Sequence, residues 1–189
     1  MHDLVDPSIY IDVLVNHPRL GEELVVVGII GVPDVHFTKD KEHFIILSEK
    51  SGFRHLYLHK IDGRLKNQIT TGDWPVTSYY GMNEKKGIAY FQSAETSPMN
   101  RDVYSVNLDG SNKKRLTKKE GTNRADFSNS FAYFINYHTT ANTPNYVSLH
   151  NSAGNTIRVL KDNQKLNQTL VEYEIGAKTF FKITTSKNV

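Results

Sequence analysis

Phe44-Ile45-Ile46-Leu47, Ile88-Ala89-Tyr90-Phe91 and Phe131-Ala132-Tyr133-Phe134 are three apolar runs whose starts lie 44 and 43 residues apart. A second run follows each: His55-Leu56-Tyr57-Leu58-His59, Asp102-Val103-Tyr104-Ser105-Val106 and Tyr146-Val147-Ser148-Leu149. A turn signal comes next, Ile61-Asp62-Gly63, Leu108-Asp109-Gly110 and Ser152-Ala153-Gly154. Then comes a third run, Gln68-Ile69-Thr70, Arg115-Leu116-Thr117 and Arg158-Val159-Leu160. The same features in the same order, three times over, mark an internal repeat. Short β-branched and aromatic runs bounded by Gly, Asp and Asn read as strands. Asp-Gly supplies the positive φ of a tight hairpin turn. Alternation within Leu56–Leu58 and Val103–Val106 is only partial, as expected where both faces of a sheet are covered. A period of about 40–50 residues with several strands per unit is the mark of a β-propeller blade.

The expected fold is therefore all-β, a partial β-propeller of about three four-stranded blades plus flanking strands. The blades are read over residues 32–72, 73–121 and 122–166. Residues 1–31 are the least assignable, with Leu24-Val25-Val26-Val27 as a candidate strand of a preceding blade. Residues 167–189 are read as an exit strand, carried by Thr179-Phe180-Phe181-Lys182-Ile183-Thr184-Thr185. A closed propeller usually has at least four blades. The array thus reads as part of a propeller cut at both ends, and an uncapped blade face invites self-association.

Composition narrows the chemistry. The chain has 189 residues and no cysteine, which removes disulfide scaffolds, thiol catalysis and cysteine-ligated metals. An aromatic fraction of 11% argues for a packed core rather than disorder. The formal charge of +3 predicts no strong field for nucleic acid. The longest apolar run, Leu24 to Val32, falls well short of the ~20 residues of a membrane span. The start, Met1-His2-Asp3-Leu4-Val5-Asp6-Pro7, lacks the basic and apolar regions of a signal peptide.

Four stretches carry a resemblance. Ser48-Glu49-Lys50-Ser51-Gly52-Phe53-Arg54-His55-Leu56-Tyr57, Ile69-Thr70-Thr71-Gly72-Asp73-Trp74-Pro75-Val76, Arg101-Asp102-Val103-Tyr104 and Arg158-Val159-Leu160-Lys161-Asp162-Asn163 resemble the propeller of the dipeptidyl peptidase IV family, the prolyl oligopeptidase-like serine peptidases. The tail, Phe180-Phe181-Lys182-Ile183-Thr184-Thr185, resembles the strand that leads from that propeller into the catalytic domain. The likeness runs in order over about residues 33–189. It implies an eight-bladed propeller capping an α/β-hydrolase domain that releases N-terminal X-Pro or X-Ala dipeptides. This chain would then be the last part of the propeller, stopping before the hydrolase. The resemblance also favours an exported protein, periplasmic or extracellular.

No catalytic residue is expected in the chain itself. An α/β-hydrolase serine sits on Gly-x-Ser-x-Gly, and no two of the 12 glycines are four apart. The family holds the substrate amine with a Glu-Glu pair, but the surroundings of Glu22-Glu23 do not fit that motif, so the role is not carried over. A substrate-contacting Arg found in some members upstream of the motif read here as His36-Phe37 has no basic counterpart near Gly31. Arg54 is the one substrate-binding candidate; the competing reading has it hold a neighbouring blade through carbonyls. No cofactor and no metal are expected. His55 and His59 fall on one face of a strand about 13 Å apart, too far to share an ion. Lys113-Lys114-Arg115 with Lys118-Lys119 has no interleaved aromatic platform and reads as a charged edge rather than a nucleic-acid site. Trp74, at the join of two repeats, reads as packing between blades. Asn167-Gln168-Thr169 fits the glycosylation pattern, which matters only in a eukaryotic secretory setting.

Two functions of different class follow. In the first, the chain is a non-catalytic propeller segment of a dipeptidyl peptidase IV-like serine peptidase, inactive alone, that shapes and gates access to the active site. Its partners are then the missing hydrolase domain, the remaining blades and, through the parent, peptide substrate; no nucleic acid and no membrane span are expected. The alternative is a stand-alone propeller-type binding module without peptidase activity.

Overall fold

The computed structural model describes residues 35–173, 175–181 and 183, and the backbone of 12–13 and 26–27. There β1 (Asp12–Val13) pairs antiparallel with β2 (Val26–Val27), so Val26 and Val27 of the candidate strand are extended. The rest of residues 1–31 lies outside the described residues.

Twelve further strands form three antiparallel four-stranded sheets, each in simple up-and-down order. Blade one is β3 (Val35–Phe37), β4 (His43–Ser48), β5 (His55–Lys60) and β6 (Leu65–Gln68). Blade two is β7 (Val76–Asn83), β8 (Ile88–Ser93), β9 (Asp102–Asn107) and β10 (Lys114–Arg115). Blade three is β11 (Thr122–Phe127), β12 (Tyr133–Thr140), β13 (Thr143–Asn151) and β14 (Thr156–Lys161). The partial propeller expected from the repeat is the observed fold.

The hairpin turns set the true repeat. Gly63, Gly110 and Gly154 have φ of 86°, 88° and 86°, and each donates its N–H to the carbonyl three residues back, that of Lys60, Asn107 or Asn151. Counting from those turns, Phe44 opposite His59, Ala89 opposite Val106 and Phe134 opposite His150 are the same position in three blades. That position recurs every 45 residues. The third apolar run therefore begins later than its sequence suggests. Phe131 and Ala132 precede β12 in a turn, where the Phe131 N–H donates to the Ser128 carbonyl and φ is 56°. Phe131 looks like strand material because it is half-buried by another route: its ring stacks on Tyr90 of blade two at 5.1 Å.

Blades stack face to face. Ile45, Leu47, Leu56 and Leu58 of blade one enclose one core with Val76, Ala89, Phe91, Tyr104 and Val106 of blade two. The other face of blade two, Tyr90 and Val103 with Leu116 behind them, packs on Ala125 and Phe134 of blade three. Five of six residues of β5 and four of six of β9 are buried, which explains the partial alternation there. The turn glycines also make the blades fit. A Cβ on Gly110 would stand 3.2 Å from the Ile69 carbonyl oxygen, and one on Gly154 would stand 2.5 Å from that of Leu116. Blades two and three thus press their third hairpin turns onto the buried Ile69 and Leu116 of the blade before, an approach that a residue without a side chain allows.

The C-terminal segment departs from the expected exit strand. Residues 164–172 form a helix, α1 (Gln164–Glu172), where the sequence reading began an extended tail at 167. Asp162 Oδ1 accepts the Gln164 N–H at 3.1 Å, and Leu166 and Leu170 fall four apart on one side. A helix this short leaves too brief a periodic signal to stand out in sequence. Thr179, Phe180, Phe181 and Ile183 pair with no strand among the described residues; Lys182, Thr184 and Thr185 lie outside them. No helix among the described residues is long and apolar enough to cross a membrane.

Candidate functional site

The chemistry-bearing side chains gather at the blade junctions. At the first, Arg54 precedes β5, and its carbonyl accepts the Val76 N–H at 2.7 Å, tying blade one to the first strand of blade two. At the second, the Arg101 carbonyl does the same for the Asn123 N–H at 2.8 Å, and Arg101 bridges Thr122 in parallel fashion. The Arg54 main chain is thus part of a repeated inter-blade joint, in which its carbonyl accepts rather than its side chain donating. Its side chain is half-buried.

The residue after each arginine carries a buried polar cluster. His55 is 1% exposed; its Nδ1 lies 3.1 Å from Thr70 Oγ1, and its Nε2 is 2.9 Å from the Gly72 carbonyl oxygen. That carbonyl can only accept, so Nε2 carries the proton and Nδ1 accepts from Thr70. Burial pushes the His55 imidazole below its ordinary range. In blade two the same place holds Asp102, whose side chain is fully enclosed. Its Oδ1 accepts from Arg115 at 3.0 Å, Thr117 Oγ1 at 3.0 Å and Asn123 Nδ2 at 3.2 Å, and its Oδ2 accepts from Thr96 Oγ1 at 2.6 Å. Asn123 Nδ2 also reaches the carbonyls of Arg101 and Lys119. Gln92 Nε2 donates to the Asn123 carbonyl at 2.7 Å. One carboxylate and one amide therefore lock blade three onto blade two. Sequence reasoning missed this network, although the Thr of Ile69-Thr70 and Leu116-Thr117 recurs in both repeats and was its visible trace.

Trp74 is where it was expected. It stacks on Phe91 of blade two at 6.2 Å and meets His55 of blade one edge-on at 5.0 Å. His59 also has a packing role: its Nδ1 is 2.9 Å from the Gly63 carbonyl oxygen and its ring stacks on Phe44 at 5.2 Å. Neither histidine is placed as a metal ligand with the other. The basic cluster is largely engaged within the chain. Lys113 pairs with Glu95 at 2.6 Å and lies 4.6 Å from the Trp74 ring centre, Arg115 pairs with Asp102, and Lys119 sits 3.6 Å over Tyr146. Glu22 and Glu23 lie outside the described residues.

Two constellations that look like chemistry are accounted for by packing. Asp40, Glu42 and His43 bring ligand-type atoms within 4.8 Å of one another at the surface. However, Asp40 Oδ1 already accepts from Thr38 Oγ1 and from the Glu42 N–H, and His43 Nε2 accepts from Lys66 Nζ at 3.1 Å. Ser148 Oγ and His150 Nε2 stand 2.8 Å apart, as in a hydrolase dyad. The other nitrogen of His150 meets the Gly154 carbonyl rather than a carboxylate, and Ser148 is 2% exposed, so no substrate carbonyl reaches it.

Tyrosines report on these junctions. Burial, aided by the Glu95 and Asp102 carboxylates, pushes the Tyr104 phenol up to about 12. Burial likewise raises Tyr79, Tyr80 and Tyr90. A phenol whose folded value exceeds its unfolded ~10 contributes stability that is complete below pH ~10 and lost as pH climbs through the folded value. Urea unfolding followed by far-UV signal is expected to show lower stability near pH ~11 than near pH ~9, with Tyr104 alone accounting for about 2 kcal/mol at full ionisation. Tyr104→Phe is expected to flatten the slope in that window. An unchanged slope would mean that Tyr104 titrates normally.

Known proteins share this arrangement of blades. The family model described as Dipeptidyl peptidase IV (DPP IV) N-terminal region matches residues 31–145, more than half of the chain. The chain belongs to this family. It is 31% identical over 169 residues to a dipeptidyl peptidase 4 from Arthroderma otae and 30% identical over 169 residues to one from Trichophyton equinum. Each alignment covers 87% of this chain and 22% of the relative. The crystal structure of Porphyromonas gingivalis dipeptidyl peptidase 4 matches with a TM-score of 0.68 and 40% identity, over 72% of this chain and 19% of that one. The chain thus spans about a fifth of the length of the curated relatives it matches. Its three sheets are blades of a DPP IV N-terminal propeller, and the Arg54 and Arg101 joints are its blade-to-blade contacts.

Proposed function

We propose that the chain serves as a non-catalytic part of a serine-type dipeptidyl peptidase, an exported protein that releases X-Pro or X-Ala dipeptides. The observation that carries this reading is the combination of a blade array of DPP IV type with a sequence that has no nucleophile elbow. In this role the blades wall and gate the approach to an active site supplied by an α/β-hydrolase domain. Rigid walls suit such a role, since both faces of blade two are buried and the junctions are held by main-chain and buried side-chain bonds. The tail is positioned too. Asn142, at the tip of the long β12–β13 hairpin, donates to the Lys178 carbonyl at 3.0 Å and accepts the Lys178 N–H at 2.8 Å. Phe180, Phe181 and Ile183 beyond this clamp are exposed, as suits a segment that docks on another domain.

The test is a paired measurement. The isolated chain is expected to leave a Gly-Pro chromogenic amide intact. The native species recognised by an antibody to this segment is expected to be several times heavier than 21.5 kDa and to cleave that amide. A native species near 21.5 kDa without activity would overturn the proposal in favour of a free-standing binding module.

A further inference from the structure

A histidine holds the linker between blades one and two. His59 and His150 bond the turn glycines of their own hairpins, Gly63 and Gly154. His55 instead gives its Nε2 proton to the Gly72 carbonyl at 2.9 Å, in the stretch that leads from β6 into β7. Gly72 is covered in turn by the Trp74 indole: a Cβ there would stand 2.2 Å from Trp74 Nε1. The chain then enters β7 at Val76, whose N–H meets the carbonyl of Arg54, the residue before His55. One imidazole thus sits where the chain leaves blade one, edge-on at 5.0 Å to the indole that stacks on Phe91 of blade two.

A second proton is poorly served on this ring. Nδ1 takes the Thr70 hydroxyl proton at 3.1 Å, and the same Thr70 oxygen accepts the Leu56 N–H at 3.0 Å. An Nδ1–H would turn that hydroxyl away from the ring. The new charge would also be enclosed, since His55 is 1% exposed. Neighbouring charges give little relief. From blade two, Lys113 adds a repelling ammonium 4.6 Å from the Trp74 ring centre, and Glu95 is engaged by that ammonium at 2.6 Å. In blade one, Arg54 is adjacent along the chain, Asp73 beyond Gly72 is exposed, and so are Glu49 and Lys50 in the turn before β5. Burial first, and Lys113 after it, hold the imidazole below its ordinary range.

We propose that the junction of blades one and two is an acid-operated latch: on protonation His55 leaves its enclosed site for solvent, and Trp74 comes away from Phe91 with it. The latch belongs to the blade stack itself and goes beyond the peptidase reading. Its sign follows from linkage. The ring takes up a proton more readily in the opened joint than in the closed one, so stability is present above pH ~6.5, the ordinary imidazole value, and is lost as pH falls through the lower closed-state value.

Trp74 is the sole tryptophan, so intrinsic fluorescence reads this junction. As pH is lowered from ~7.5 to ~5, emission is expected to move to longer wavelength and acrylamide quenching to rise, while the far-UV signal keeps its β character. His55→Gln keeps an amide donor for the Gly72 carbonyl, carries no titratable group and is expected to remove this step. Lys113→Met takes away the repelling ammonium and is expected to move the midpoint to higher pH; it serves if the glutamine variant does not fold. Constant emission over this range, a parallel loss of the far-UV signal, a step unchanged in His55→Gln or a midpoint unmoved in Lys113→Met would overturn the proposal.

Discussion

Asp102→Ala is expected to lower the unfolding free energy by about 3–4 kcal/mol, the range seen when one partner of an enclosed polar network is removed. The carboxylate accepts four hydrogen bonds, from Thr96, Arg115, Thr117 and Asn123, and none of its surface meets solvent. Deleting it leaves the buried Thr117 hydroxyl without this acceptor and removes one of the three acceptors of the buried Asn123 amide. Arg115 is different: its side chain is 32% exposed and can turn to solvent, so Arg115→Ala is expected to cost only about 1 kcal/mol. Chemical denaturation of the three proteins measures the contrast. Equal, small losses for both substitutions would mean that the network does not hold the blades together. Asp102→Asn is expected to fall between them, because its new NH₂ group faces donors instead of acceptors.

Trp74→Ala is expected to cost about 3–5 kcal/mol, the usual range for emptying a large aromatic site. Trp74 fills the first junction, with Phe91 stacked on one side and His55 edge-on at the other. Its contacts belong to two sheets, so the loss falls on the docking of blade one to blade two more than on either sheet alone. Lys113, 4.6 Å from the ring centre, loses its cation–π partner as well. Thermal unfolding is expected to broaden or split as blade one uncouples from the rest. A single sharp transition with a shift worth less than about 1 kcal/mol would show that the blades cohere without the indole.

Blade architecture was legible in the sequence because each unit restates the same local physics. Asp62-Gly63 and Asp109-Gly110 announce left-handed turn positions, and Gly154 follows them in the third unit; all three take that conformation. The apolar runs around Phe44 and Ile88 are strands, and the partial alternation in β5 and β9 anticipated sheets covered on both sides. The packing role of Trp74 followed from its place between two repeats. Phe131 was misread because burial alone does not distinguish a strand residue from a turn residue that inserts its ring between blades. Helix α1 escaped notice because nine residues carry little more than two turns of periodicity.

The sequence by itself determined the repeat, the hairpin turns and the all-β class, since these arise from contacts between residues close along the chain. Only the tertiary structure decided the blade junctions. Asp102 and Asn123 are 21 positions apart and belong to different sheets, and neither identity announces the other. The same holds for the register that makes Phe134 and His150 the counterparts of Ala89 and Val106: it is established by which residues face one another across β12 and β13, a pairing that chain order alone does not encode.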